Sequence, residues 1–280
     1  MDQIICVVGS TATGKTKKAI ELASHQPSIL VSADSRQVYT GMDIVPGKDH
    51  QKDVAMYGID LVEPNQPCSV SVWYDAVAPH IIEATLQNKQ VIVVGGTGLY
   101  VKAITDGIKT MSVPLDQNLR DVLSLLSVLE LQNQLKKLDN SKFESMNLSD
   151  QLNPRRLVRA IEVSLSNQTL QRTVLCKTAP KILGLKYKDS NLQKEKILER
   201  VLSRLELGAI AETQVLLTKY NRDFQSMSAL GYRSIIKYLD NELSKEEMIE
   251  SWVHDEMAYV KRQMTWFHKV PVIWYDVDTI

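Results

Sequence analysis

The sequence predicts an α/β protein: a parallel sheet flanked by helices around a phosphate-binding loop (P-loop), with an all-α insertion domain. Three observations carry this. The runs Ile4-Ile-Cys-Val-Val8, Ser28-Ile-Leu-Val-Ser32 and Val91-Ile-Val-Val94 are apolar and β-branched without polar alternation, the pattern of strands buried on both faces of a parallel sheet. A glycine-rich turn and a helical pattern, Ala19, Ile20, Leu22 and Ala23, separate the first two runs, giving strand, turn, helix, strand. Between Pro114 and Pro180 the strand signal disappears and leucine-rich helical spacing replaces it.

In chain order, residues 1–113 and 181–280 form the expected catalytic core and 114–180 the insertion. Within the insertion, helices are predicted around Leu119–Leu126 and Leu129–Leu138, and a third opens at Asn153-Pro154. Asn caps the exposed N–H groups, and Pro lacks a donor that would go unsatisfied there. Beyond it, strands are predicted at Lys181–Lys186 and Pro271–Tyr275, and the capping-box spacing Ser244-Lys-Glu-Glu247 opens a helix running to about His268.

Composition bounds the function. Of 280 residues 44% are apolar and 24% charged, and no apolar run approaches the ~18 residues of a membrane span. The first residues carry no pattern of an export signal, and Cys6, Cys68 and Cys176 fit neither a disulfide framework nor a metal site. A cytoplasmic protein with reduced thiols is expected. Lys+Arg and Asp+Glu both number 33, but from Asn153 to Lys188 eight cations (Arg155, Arg156, Arg159, Arg172, Lys177, Lys181, Lys186, Lys188) face Glu162 alone. That stretch reads either as a solvated basic surface or as one that meets phosphates.

Gly9-Ser10-Thr11-Ala12-Thr13-Gly14-Lys15-Thr16 fits G-x-x-x-x-G-K-[ST] between a strand and a helix. The glycines let backbone amides turn around a phosphate chain, the helix N-terminus and Lys15 add positive charge, and the Thr16 hydroxyl can ligate Mg²⁺. A triphosphatase would place a Mg²⁺-holding Asp after the third strand, where this chain has Gly95-Gly96-Thr97. The carboxylate that strand logic brings to the crevice is Asp34, which can act as a base, cap its own turn or hold a metal-bound water.

Over nearly its whole length the sequence resembles the tRNA dimethylallyltransferases, on the ordered motifs Gly9–Thr16, Asp34-Ser-Arg-Gln-Val-Tyr39 with Gly41-Met-Asp-Ile44, Gly95-Gly-Thr-Gly-Leu-Tyr100, Asn153-Pro-Arg-Arg-Leu-Val-Arg-Ala-Ile-Glu-Val163, Gly231-Tyr-Arg233, and Lys261-Arg-Gln263 before Trp266. The resemblance implies transfer of a dimethylallyl group from dimethylallyl diphosphate to N6 of the adenosine 3′ to the anticodon, with Mg²⁺ as cofactor, the tRNA anticodon stem-loop as partner and a monomeric chain. It implies a catalytic set of Asp34 as base, Thr11, Arg200, Thr97 and Arg120. It also implies an RNA-contacting set of Asp34, Ser35, Arg36, Gln37, Arg155, Arg156, Leu157, Val158, Arg159, Gly231, Arg233, Lys261, Arg262 and Gln263. The family's Gly-Thr-Ala-Lys-Pro is replaced here by Val45-Pro46-Gly47-Lys48-Asp49. The competing readings are a P-loop small-molecule kinase, an adenylate isopentenyltransferase and a nucleotide-dependent RNA-binding module.

Overall fold

A computed structural model describes residues 4–48, 54–166, 175 and 179–279. Arg172, Cys176 and Lys177 lie outside them, as does Asp49. The chain divides into two compact units, Met1–Asp106 with Val174–Ile280, and Gly107–Thr173.

The first unit holds a wholly parallel six-stranded sheet in the order β3-β2-β4-β1-β5-β6. Its strands are β1 (Ile4–Gly9), β2 (Ser28–Ser32), β3 (Met56–Tyr57), β4 (Gln90–Val94), β5 (Lys181–Lys186) and β6 (Ile273–Asp276). The central strand β1 pairs Ile4 with Val91 on one side and Ile5 with Lys181 on the other. Both its faces are covered, which explains its unbroken apolar sequence. On one face α1 (Lys15–Ala23) buries Ala19 and Ala23 against Val7, Leu30, Ile92, Val94 and Leu185.

Helices α2 (Val70–Leu86) and α3 (Gly98–Thr105) place Trp73 and Tyr100 in a stack with ring centroids 4.2 Å apart. The Trp73 indole donates to the Ser32 carbonyl at 2.9 Å, so the stack satisfies its buried N–H at the end of β2. After the insertion come α8 (Ser190–Glu206), α9 (Ala209–Lys219), α10 (Tyr232–Leu239) and α11 (Lys245–Phe267). The expected capping box at Ser244 and Glu247 opens α11.

The second unit contains α4 (Gln117–Ser124), α5 (Val128–Ser145), α6 (Leu148–Gln151) and α7 (Pro154–Leu165). Leu123, Leu131, Leu135, Phe143, Met146, Leu157, Ala160 and Ile161 form its core. The Asn153 side chain accepts from the Arg156 amide and Pro154 takes the first helical position of α7, as the sequence predicts. The unit begins at Gly107 rather than at the expected residue 114. Arg159 on α7 donates to the carbonyls of Thr110 and Val113 at 2.5 and 2.9 Å, which ties the short 3₁₀ turn Lys109–Ser112 to the insertion.

Candidate active site

Residues 9–16 leave β1 and enter α1 at the carboxyl edge of the sheet. Gly9 has φ 139°, and a side chain there would run into the Leu185 carbonyl of β5, so only glycine permits this exit. Gly14 caps α1 at φ 77°. The turn is braced from within: Thr13 Oγ1 and Lys15 Nζ both donate to the Ser10 carbonyl, at 2.9 and 2.5 Å. Burial of its ammonium, and then the positive charge of Arg200, push Lys15 down to about 8, with Asp34 and Glu256 opposing.

Other elements brace it from outside. Arg200 on α8 donates to Thr11 Oγ1 at 2.9 Å. Gln193, one side of the same helix, donates to Ser10 Oγ at 2.7 Å and to the Thr11 carbonyl at 3.3 Å. The Tyr187 hydroxyl reaches the Ala12 carbonyl at 3.2 Å. The resemblance puts Thr11 on the side of the base and Arg200 on the side of the diphosphate, and the two are in direct contact.

Asp34 follows β2. Its Oδ1 accepts from the Arg36 amide at 2.9 Å, which fixes the carboxylate in a tight turn. Thr97, after β4, accepts from the Ser35 amide at 3.0 Å and donates to Ser35 Oγ at 3.3 Å. The Asp34 turn is thus held to the glycine turn Gly95–Gly98 by Thr97, one of the residues the resemblance implies as catalytic. On α11, the Tyr259 phenol lies beside Thr97. Burial, and then the negative charge of Asp34, push the Tyr259 phenol up to about 12, so it stays protonated beside that carboxylate.

Several residues expected to face RNA are instead held inside the unit. Gln263 is buried, with its amide bonded to the Thr11 N–H at 3.1 Å and the Gly96 carbonyl at 3.2 Å. Gln37 accepts from Ser32 Oγ at 2.7 Å and donates to the Gly47 carbonyl at 3.0 Å. Gly231 has φ 83° and lies against the Trp252 ring. Arg36 donates to the Gln225 carbonyl at 3.1 Å, Arg262 lies over the Tyr259 ring at 5.5 Å, and Arg233 and Lys261 are exposed.

In the second unit, Leu157, which the resemblance places in the RNA-contacting set, is fully buried and packs with Ile161 in the core. Val158 packs half-buried beside it. Arg120, expected among the catalytic residues, makes two hydrogen bonds of 2.9 Å to Glu162. Arg159 pairs with the same carboxylate, and Arg156 pairs with Asp150. Burial alone would raise Glu162, but Arg120, the Asp116 amide and Arg159 outweigh it and hold the carboxyl at about 2. Of the three α7 arginines, Arg155 is the exposed one without a partner among the described residues.

Residues 43–48, the described residues around the departure from the family pattern, are held by several hydrogen bonds. Glu212 on α9 accepts from the amides of Asp43, Ile44 and Val45 at 2.8, 2.7 and 3.1 Å, and from the Tyr232 hydroxyl at 2.6 Å. Pro46 offers its carbonyl to Arg204 at 3.1 Å, and Arg204 pairs with the buried Glu256 at 3.5 Å. No motif announced Glu212, Gln193 or Tyr259, because each acts on backbone or on a side chain distant in sequence.

For a divalent ion the protein supplies the Thr16 hydroxyl at the start of α1, and no cluster of three His, Cys, Asp or Glu occurs among the described residues. That donor set fits Mg²⁺ held mainly by ligand phosphate oxygens and water.

Among the described residues no helix is long and apolar enough to cross a membrane. The IPP transferase family model matches residues 37–270, and an isopentenyl transferase model matches 2–57. The chain is 33% identical to the tRNA dimethylallyltransferase of an Exiguobacterium species, covering 98% of this chain and 90% of the relative. It is 35% identical to that of Prochlorococcus marinus, covering 98% and 92%. Among solved structures, the tRNA isopentenylpyrophosphate transferase of Bacillus halodurans superposes with a TM-score of 0.71 at 30% identity, over 99% of this chain and 90% of that one. A eukaryotic dimethylallyltransferase acting on tRNA shares the fold with a TM-score of 0.83 at 21% identity, over 99% and 74%.

Proposed function

The chain belongs to the tRNA dimethylallyltransferase family, and we propose that its own residues carry a dimethylallyl group from dimethylallyl diphosphate to N6 of the adenosine 3′ to the anticodon in tRNA, releasing diphosphate. The observation that carries this reading is the division of the site into two ends within one unit. Cations and amides gather at residues 9–16 with Arg200, and a carboxylate waits at Asp34 beside Thr97.

At the first end, Lys15, the turn amides and Arg200 hold the diphosphate. The allylic carbon–oxygen bond breaks there and its electron pair leaves on the diphosphate. Fixed donors on such a developing charge are worth ~10²- to 10³-fold each. The pattern of this end also explains why no triphosphatase acid follows β4: charge grows on a departing group, and no water has to be aimed at phosphorus. Thr16 would hold Mg²⁺, which supplies further charge neutralisation to the phosphate oxygens when bound.

At the second end, the adenine N6 lone pair is delocalised into the ring, so its bond to carbon forms as its proton leaves to Asp34. A positioned base contributes ~10²- to 10⁴-fold. The Asp34 turn leaves one carboxylate oxygen without a hydrogen-bond partner among the described residues, as a base requires. The attacking adenine must leave its stack, which an unpaired anticodon loop permits at low cost.

Both ends come from a single chain, so a monomer suffices. Incubation with labelled dimethylallyl diphosphate and total tRNA, followed by nucleoside analysis, tests the reading. Prenylated adenosine is expected; consumption of ATP with a small alcohol, or prenylation of AMP alone, would replace it with one of the alternatives.

A further inference from the structure

Gln263 joins the two ends of the site. Helix α11 presents Glu256, Tyr259, Gln263 and Trp266 along one side, and they meet Arg204, Thr97, the Thr11 and Gly96 backbones, and Gly98. Of these, Gln263 alone touches both the phosphate turn and the glycine turn. Its Oε1 takes the Thr11 N–H and its Nε2 the Gly96 carbonyl, at 5% exposure.

Both neighbours matter. Thr11 carries Arg200 on its hydroxyl, and Gly96 precedes Thr97, which holds the Asp34 turn. A side chain at Gly96 would displace the Gln263 amide from its present place. From the other side, Gln193 holds the Thr11 carbonyl. The Thr11 backbone is therefore gripped on its N–H and its carbonyl, in two successive peptide units, by two buried amides. Its N–H is turned to Gln263 and does not join the amides offered to phosphate.

An amide suits this place, because it accepts from an N–H at one atom and donates to a carbonyl at the other. A carboxylate can only accept and an ammonium only donate, and either would leave a buried backbone group unmatched. We infer that Gln263 is a positioning residue that fixes the distance and register between the diphosphate end and the Asp34 end, and that it does not contact RNA. This inference rests on the proposed transfer reaction.

Gln263→Met keeps the length of the side chain and removes both bonds. Its effect is read as kcat and KM for dimethylallyl diphosphate, affinity for pyrophosphate, and tRNA Kd with its salt slope. A displacement near 1 Å at a reacting centre costs up to ~10²-fold. We expect kcat to fall at least about tenfold, pyrophosphate binding to weaken several-fold, and tRNA Kd and its salt slope to stay unchanged. Gln263→Glu, which keeps size and the acceptor, should weaken pyrophosphate binding more through its added charge, and it carries the same comparison if the Met variant does not fold.

Weaker tRNA binding with normal pyrophosphate affinity would overturn the inference and return Gln263 to the RNA surface. Unchanged values throughout would overturn it as well. The pyrophosphate measurement reads the turn without any transfer, so a wild-type protein that forms no prenylated base sinks the functional reading and leaves this test decisive.

Discussion

Arg200 and Thr11, 189 positions apart in the chain, share a hydrogen bond of 2.9 Å between guanidinium and hydroxyl. The bond places a permanent cation over the turn that the G-x-x-x-x-G-K-T pattern builds, and that cation helps to lower Lys15. Arg200→Ala should therefore cut transfer by ~10²-fold and raise KM for dimethylallyl diphosphate. Steady-state kinetics with tRNA held saturating check this; a change confined to KM for tRNA would contradict it.

Lys15 gives a pH signature with a definite sign. Its value of about 8 means that the free protein loses this charge as pH rises through 8, so kcat/KM for dimethylallyl diphosphate should decline above pH 8 while that for tRNA holds. Stability should move the other way. Between pH 8 and 10.5 the unfolded chain binds the proton more readily than the folded one, so the Lys15 contribution stabilises the fold as pH increases. Initial rates across pH 6.5–9.5 and urea midpoints at matched pH separate the two trends.

The α7 arginines should behave differently from one another. Arg155→Ala is expected to weaken tRNA binding and reduce its salt slope by just under one, with unfolding unchanged. Arg159→Ala removes a partner of Glu162 and of two backbone carbonyls, so it should destabilise the insertion by about 2 kcal/mol. Binding isotherms at several salt concentrations, together with chemical unfolding, distinguish them. Equal loss of stability in both variants would contradict this assignment.

Glu162 makes the insertion acid-sensitive. Its folded value near 2 lies below the ordinary 4.5, so its stabilisation is complete above 4.5 and disappears as pH falls from there towards 2. Glu162→Gln should remove that pH dependence and weaken the insertion, as read by unfolding at pH 3 and pH 7. A variant retaining the wild-type acid profile would rule it out.

The legible part of the fold was the part governed by local pattern. The buried runs of β1, β2 and β4, the Asn153-Pro154 start of α7 and the Ser244 capping box all form where spacing predicts them. Strand β3, two residues long at the sheet edge, has too little sequence to carry a signal. The insertion boundary shifted because Arg159 recruits Thr110 and Val113, a pairing across 46 positions or more. At the site, the phosphate turn was readable because its chemistry is contiguous. The motif around Gln263 points to RNA only through resemblance; its contacts with Thr11 and Gly96 depend on sheet order, which no local spacing encodes.

The most direct measurement is single-turnover transfer by Asp34→Asn, with dimethylallyl diphosphate affinity determined on the same preparation. The account predicts prenylated adenosine forming ~10²-fold or more slowly while the diphosphate binds as in the wild type. Near-normal transfer by this variant, or lost diphosphate binding with it, would contradict a site in which one end holds the leaving group and the other takes the proton.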